Sequence, residues 1–231
     1  MSHLIDLRKI AVSLAMFAVV AVGSATAARA DTVTFSLTNA NFGGFPSPYA
    51  SVLVNRLSST TATLTFTANE THAGLTYLFG GQGAVAANFN GPVTLTGPIL
   101  ADLNLGGENG LATAGAGNED GFGSFNFTID NSDGFGDAVG GVTFSVTLTS
   151  GTWASAAQVL TPNANGNSVA AHLFICGSSP CATVVDRANP ALLTGYVTNG
   201  PNPPVPEPTS MLLLGTGLVG LAAGLRRRFK K

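Results

Sequence analysis

The stretch Thr61-Ala62-Thr63-Leu64-Thr65-Phe66-Thr67 alternates threonine with apolar residues. Successive side chains of a β-strand point to opposite faces, so this period of two places hydroxyls on one face and apolar groups on the other. Threonine, being β-branched, also favours extended backbone. The stretch therefore predicts a β-strand that lies between a hydrophobic core and solvent.

The same alternation recurs along the chain, in Val33–Leu37, Val93–Leu95, Phe125–Ile129 and Val142–Leu148. Ser168–Ile175 is apolar on both faces, as expected of a central strand. Glycine and Asn/Asp clusters separate these runs, and we expect 106–123 and 131–141 to be surface loops. We predict an all-β body over residues 31–197, an antiparallel β-sandwich of roughly eight to ten strands.

The predicted body is acidic, which the composition of the whole chain conceals. Between Asp31 and Glu207 there are 11 acidic residues and 2 basic ones, Arg56 and Arg187, so the net charge is 2 − 11 = −9, against −2 for the whole chain. Nucleic-acid binding depends on Lys and Arg that neutralise phosphates. We therefore expect no nucleic-acid partner.

The N-terminal segment has the features of a secretory signal peptide. Arg8 and Lys9 precede an apolar run over residues 10–22, and Ala28-Arg29-Ala30 provides an A-x-A cleavage site. The alternative is an uncleaved membrane anchor, but the apolar run is shorter than the ~20 residues that a spanning helix needs. We predict that residues 1–30 are removed, which leaves Asp31 as the first residue.

The C-terminal segment has a different design. Residues 198–205 form a Pro/Gly/Asn linker, and Pro206-Glu207-Pro208 follows it. The uncharged run Met211–Leu225 would make about 22 Å of helix. A basic cluster ends the chain, consisting of Arg226, Arg227, Arg228, Lys230 and Lys231. A buried core helix would not usually end this way, so we predict a single transmembrane helix in 206–231 with its basic end in the cytoplasm.

This C-terminal combination resembles a known sorting signal. Val205-Pro206-Glu207-Pro208, a short apolar helix and a terminal Arg/Lys cluster are similar to the PEP-CTERM signal of Gram-negative bacteria. The resemblance covers residues 205–231. It implies an exosortase as partner, which processes the protein near Pro206-Glu207-Pro208. It also implies an intermediate anchored in the inner membrane, final location at the cell surface or outside the cell, and association with exopolysaccharide or biofilm.

Cys176 and Cys181 are the two cysteines of the chain, in the pattern C-G-S-S-P-C. Exported proteins meet an oxidising environment, so we expect these two cysteines to form a disulfide. A metal site would need further ligands, and the body contains only His72 and His172 as histidines. Catalytic redox pairs are normally spaced C-x-x-C.

The acidic loops offer a weak calcium hypothesis and no stronger cofactor. Asp130, Asp133 and Asp137, together with the Asn118-Glu119-Asp120 loop, could supply oxygen ligands for Ca²⁺. However, Asp130-Asn131-Ser132-Asp133-Gly134 departs from EF-hand spacing. Solvated acidic loops without a bound ion are the alternative.

Catalytic motifs of the common hydrolase, zinc-protease and P-loop types do not occur in the sequence. Trp153, the single tryptophan, could be a sugar-stacking platform or a core anchor, and the latter is favoured for a lone aromatic. His172 is expected to be a partly buried strand histidine. We predict a non-enzymatic surface or matrix protein; the alternatives are a carbohydrate- or calcium-binding secreted module and, third, a secreted enzyme.

Overall fold

The computed structural model describes residues 31–69, 72–104, 110–131, 134–177 and 193–200. The predicted signal peptide, the linker beyond residue 200, the sorting tail and its basic cluster, Asp133 and Cys181 lie outside these residues. No helix in the described ranges is long and apolar enough to cross a membrane. The predicted transmembrane helix falls outside them and stays a prediction.

The described residues form two antiparallel sheets, as predicted. The first has the strand order β1-β3-β4-β10-β7. Its strands are β1 (Asp31–Leu37), β3 (Ala50–Arg56), β4 (Thr61–Ala68), β7 (Val93–Asp102) and β10 (Gly141–Leu148).

The second sheet has seven strands in the order β2-β12-β11-β6-β9-β8, with β5 also paired to β11. Its strands are β2 (Asn39–Ala40), β5 (Leu75–Phe79), β6 (Val85–Ala87), β8 (Ala112–Glu119), β9 (Gly123–Asp130), β11 (Val169–Gly177) and β12 (Leu193–Thr198). β11 pairs on both edges, which confirms the central strand predicted from its apolar faces. A single turn of 3₁₀-helix, Ala156–Gln158, follows β10.

The core lies between the sheets, where the apolar side of each alternating strand is buried. Phe66 and Phe144 belong to the first sheet and stack with their ring centroids 6.1 Å apart. Phe127 of the second sheet stacks on Phe144 at 5.3 Å, so one run of three rings crosses from sheet to sheet. Phe89 meets the edge of Phe127 at 5.5 Å. Offset and edge-on aromatic contacts of this kind add to the free energy gained by burial alone.

Trp153 is part of this core. Only 1% of the residue is exposed, and its Nε1–H donates to the carbonyl oxygen of Asn90 at 2.9 Å. A buried indole with its one polar group satisfied is a structural anchor. The stacking-platform alternative for Trp153 is therefore wrong, and the core-anchor interpretation is confirmed.

Asp31 begins β1 and holds it in place with its carboxylate. Its Oδ1 accepts from Arg56 Nε at 2.7 Å, and its Oδ2 accepts from the backbone N–H of Ala156 at 2.9 Å. The hydrogen bond from Ala156, together with that from Arg56 and its charge, lowers the pKa of Asp31. The residue predicted to start the mature chain thus joins β1 to β3 and to the 3₁₀ turn.

Two expectations about the strands need correction. Twelve strands occur in the described ranges, more than the eight to ten predicted, because β2 and β6 are too short to show a period in sequence. The predicted loop 106–123 contains β8, which pairs with β9. Its sequence, ATAGAGNE, has no β-branched alternation, and the register shifts on both sides of Gly115, between Thr113 and Gly117. Glycine at such bulges escapes the usual strand pattern.

We predict that Phe144→Ala lowers the free energy of unfolding by about 3–5 kcal/mol, because it removes the central ring of the stack and leaves a cavity. Leu100→Ala is the control: Leu100 is 56% exposed, and we expect a change within about 0.5 kcal/mol. Urea denaturation followed by circular dichroism measures both values. Equal effects of the two substitutions would contradict the assigned core.

Candidate functional site

The hairpin formed by β8 and β9 has its tip packed over the outer face of the second sheet. Phe122, at the tip, is fully buried in a small cluster with Ala86 and Ala170. Two asparagines hold it there: Asn163 Nδ2 and Asn167 Nδ2 donate to the carbonyl oxygen of Phe122 at 3.0 and 2.8 Å. The tip is therefore fixed by apolar burial and amide hydrogen bonds, with backbone carbonyls as acceptors.

A polar pocket of about 260 Å³ lies beside this hairpin. We call it the hairpin pocket. Residues from β8, β9, β12 and the segment before β6 line it: Gln82, Gly83, Ala114, Ala116, Gly117, Asn118, Glu119, Thr128, Asp130 and Tyr196. Two carboxyl groups, those of Glu119 and Asp130, share this lining.

Glu119 is the most unusual group of the pocket. Only 1% of the residue is exposed, and Oε2 is buried without a hydrogen-bond partner among the described residues. Burial and, second, the charge of Asp130 raise the pKa of Glu119 from 4.5 to about 8. A carboxylate taken out of water needs a proton, a cation or several donors to offset its lost hydration. At neutral pH Glu119 is therefore mostly protonated when nothing is bound.

Gly83 shapes the pocket beneath Glu119. Its backbone N–H donates to Asp130 Oδ1 at 2.8 Å. A Cβ at this position would collide with both carboxylate oxygens of Glu119, and its φ of +64° is one that other residues rarely adopt. The missing side chain of Gly83 thus makes the space that the Glu119 carboxyl occupies.

Tyr196 connects the hairpin pocket to β11. Its ring stacks on His172 with centroids 4.5 Å apart, and His172 Nε2 is hydrogen-bonded to Thr194 Oγ1 at 2.6 Å. Burial lowers the pKa of His172, so its ring is neutral near pH 7. His172 is half-buried on a strand, which confirms the structural interpretation of this residue.

The predicted calcium residues are not assembled as a set in the described ranges. Asp133 lies outside them, and within them no three His, Cys, Asp or Glu side chains are grouped to hold a metal ion. Of the predicted oxygen ligands, Asn118, Glu119 and Asp130 do line one pocket, the hairpin pocket. The hypothesis of a site built from Asp130, Asp133 and Asp137 stays a prediction.

Cys176 is buried on β11, with its Sγ 3.7 Å from the carbonyl oxygen of Thr76. No free cysteine occurs in the part of the chain that the structure describes. Because Cys181 lies outside that part, its pairing with Cys176 stays a prediction.

The outward side of the first sheet is a second candidate surface, which we call the hydroxyl face. Strand register aligns small polar residues in rows across the strands; one row comprises Thr32, Asn55, Thr63, Ser145 and Thr96. Neighbouring hydroxyls bond to each other, with 2.7 Å between Thr63 Oγ1 and Ser145 Oγ and 2.7 Å between Thr96 Oγ1 and Thr147 Oγ1.

A groove of about 410 Å³ opens on the hydroxyl face. Thr65, Thr143, Asp102 and the exposed Leu100 contribute to its lining. It therefore combines hydroxyl and carboxylate oxygens with the apolar residues Phe66, Leu100 and Ala101. A few polar groups placed beside apolar contacts are a general feature of binding pockets.

Sequence reasoning named Glu119 and Asp130 as calcium candidates but missed the burial of Glu119, and it missed the rows of the hydroxyl face. Threonine alternation predicted outward hydroxyls on each strand, but their rows depend on strand order and register. Glu119 sits in a Gly-rich acidic stretch that is typical of solvated loops. The nearby Phe122 was the available sign that this stretch is buried, because an aromatic residue within a polar loop needs a partner surface.

We predict that the unfolding free energy depends on pH through Glu119 in metal-free buffer. The raised pKa means that the folded state retains the proton that the unfolded state loses. Stability therefore falls as pH rises from 4.5 to about 8, by up to about 1.4 kcal/mol per pH unit, and is level above that range. Glu119→Gln should remove this slope, as urea denaturation across the range would measure. A wild-type slope retained in the variant would contradict the assignment.

Comparison with known proteins concerns the C-terminal tail. No curated protein and no solved structure matches the chain. The matching family model is that of the PEP-CTERM protein-sorting motif, and the match is confined to the C-terminal segment. Residues 204–228 match the PEP-CTERM protein-sorting motif. This match confirms the resemblance that was predicted from Pro206-Glu207-Pro208, the apolar run and the basic cluster.

Proposed function

We propose that this chain is an exported, exosortase-processed protein of the cell surface or extracellular matrix, and that its β-sandwich is a non-catalytic body that contacts exopolysaccharide. The observation that carries the proposal is the sorting motif at residues 204–228, which implies export and an exosortase as processing partner. The polysaccharide contact rests on the hydroxyl face.

The residues of the tail support a division of roles. Pro206 and Pro208 favour extended backbone and disfavour a helix start before Thr209. Glu207 is thereby presented as a carboxylate next to the apolar run, and the terminal arginines and lysines fix the orientation of that run in the inner membrane. Gly220 and Gly224 have the small-xxx-small spacing that allows close approach of another helix. These features suit docking into a membrane enzyme.

The hydroxyl face supports contact with a polysaccharide. Adjacent strands lie about 4.8 Å apart and alternate residues about 6.8 Å apart, so its rows form a regular array of hydrogen-bonding groups. Sugar rings offer hydroxyls to such groups and C–H surface to an apolar side chain such as Leu100. A neutral polymer also meets no net repulsion from the acidic body.

We predict that Glu207→Ala abolishes processing and leaves the full-length protein in the inner membrane, because the exosortase loses the central residue of its motif. Immunoblots of cell-associated and released fractions measure this. Asp102→Asn is the control, since it removes one carboxylate from the sandwich and leaves the tail intact. If strains with and without the exosortase release the same truncated body, another protease cuts the tail and the sorting proposal fails.

We predict that the triple variant Thr63→Val, Ser145→Ala, Thr96→Val binds exopolysaccharide about tenfold more weakly, a loss of about 1.4 kcal/mol. The substitutions remove three hydroxyls from one row of the hydroxyl face. Valine favours β-strands and alanine is small, so we expect the sheet to be preserved. Co-sedimentation with polymer purified from a producing strain measures the loss.

Thr113→Val is the matched control, because Thr113 is exposed on β8 of the other sheet. It should bind as the wild type does. If the triple variant also binds as the wild type does, the hydroxyl face is not the contact. That outcome would leave the sorting proposal standing, since sorting is measured separately.

A further inference from the structure

The charge balance of the hairpin pocket is incomplete within the described residues. Glu119 and Asp130 both line it, and only 1% of Glu119 is exposed. Arg56 is the single Lys or Arg in the described ranges, and it pairs with Asp31 in the other sheet. A buried carboxylate that no basic side chain neutralises is destabilising unless it acquires a proton or a cation from outside.

The oxygens around the pocket are arranged to receive a cation. Glu119 Oε2 is buried with no hydrogen-bond donor among the described residues. Asp130 is oriented by the Gly83 N–H, which bonds its Oδ1 at 2.8 Å. The Tyr196 hydroxyl donates to the carbonyl oxygen of Gln82 at 3.4 Å, which leaves its oxygen as a further acceptor at the pocket wall. We propose that the hairpin pocket binds a hard divalent cation, Ca²⁺ or Mg²⁺, through the carboxylates of Glu119 and Asp130.

The size of the pocket indicates how the cation is held. With about 30 Å³ per water, the volume of about 260 Å³ accommodates the ion together with several waters of its shell. Both Ca²⁺ and Mg²⁺ accept carboxylate oxygens and complete their coordination with carbonyl oxygens and water. Two carboxylates are therefore sufficient protein charge for a divalent ion that stays partly hydrated.

The positions of the two ligands give the ion a structural effect. Glu119 is the last residue of β8 and Asp130 the last residue of β9. A cation between their carboxylates links opposite ends of the hairpin, whose tip already packs through Phe122. The bound ion therefore holds the folded-over hairpin in place, and its removal loosens the outer face of the second sheet.

The first test measures thermal unfolding of the purified exported protein after a chelator has removed any bound metal ion. Millimolar CaCl₂ or MgCl₂, at ionic strength matched with NaCl, should raise the Tm by about 3 °C or more, since an ion that binds only the folded state stabilises it. The Ca²⁺ and Mg²⁺ arms identify which ion is preferred. A Tm that changes no more with either divalent ion than with NaCl would overturn the proposal.

Variants separate this site from a general effect of salt on an acidic protein. Glu119→Gln and Asp130→Asn keep the shape of each side chain and should lose the metal-induced shift. Asp102→Asn removes an equal charge from β7 and should retain it. If both pocket variants retain the full shift, the ion binds elsewhere and the proposal is wrong.

Terbium luminescence gives a readout that is independent of stability. Tb³⁺ substitutes for Ca²⁺ and emits when a nearby tyrosine absorbs light, and Tyr196 lines the pocket. Emission should appear on titration with Tb³⁺, fall on addition of Ca²⁺, and be lost in Glu119→Gln. Tyr196→Phe, which removes the sensitising phenol and one oxygen of the pocket wall, should reduce the emission. Emission of equal strength in Glu119→Gln would place the ion outside the hairpin pocket.

Discussion

The packing of Phe144 between Phe66 and Phe127 is the interaction on which the sandwich depends. It connects the two sheets through rings that lie nearly parallel, 16–18° between planes. Because the inward side chains of these strands form this contact, the alternate residues of the same strands must face outward. The hydroxyl face and the outer surface beneath the hairpin both follow from this arrangement.

Asparagine side chains hold several loops of this protein through hydrogen bonds, a role that ion pairs often have in more highly charged proteins. Asn126 forms a reciprocal pair with Phe89, accepting from its N–H and donating to its carbonyl oxygen, both at 2.8 Å. Asn163 and Asn167 hold the hairpin tip, and Asn199 Oδ1 accepts from the N–H groups of Ser168 and Val169. Such contacts satisfy loop backbone without requiring an opposite charge, which suits a body with few basic residues.

The sequence predicted what depends on local pattern. The alternation around Leu64 and Phe66 identified β4 and its inward face, and the two apolar faces of β11 identified a central strand. The position of β8 was missed because its pairing is supplied by β9 and not by its own Ala/Gly-rich sequence. The burial of Glu119 was missed for a related reason: a carboxyl in a polar loop is buried only because Phe122 brings the loop onto the sheet.

The close approach of Gly83 and Glu119 constrains how this protein can vary over evolution. A side chain at residue 83 would occupy the space of the Glu119 carboxylate oxygens. Alanine or a larger residue at position 83 would require the Glu119 carboxyl to move or a shorter side chain at position 119. The two positions, 36 residues apart in sequence, are therefore expected to covary. Glycine at position 83 together with glutamate at position 119 would identify homologues that retain the buried acid.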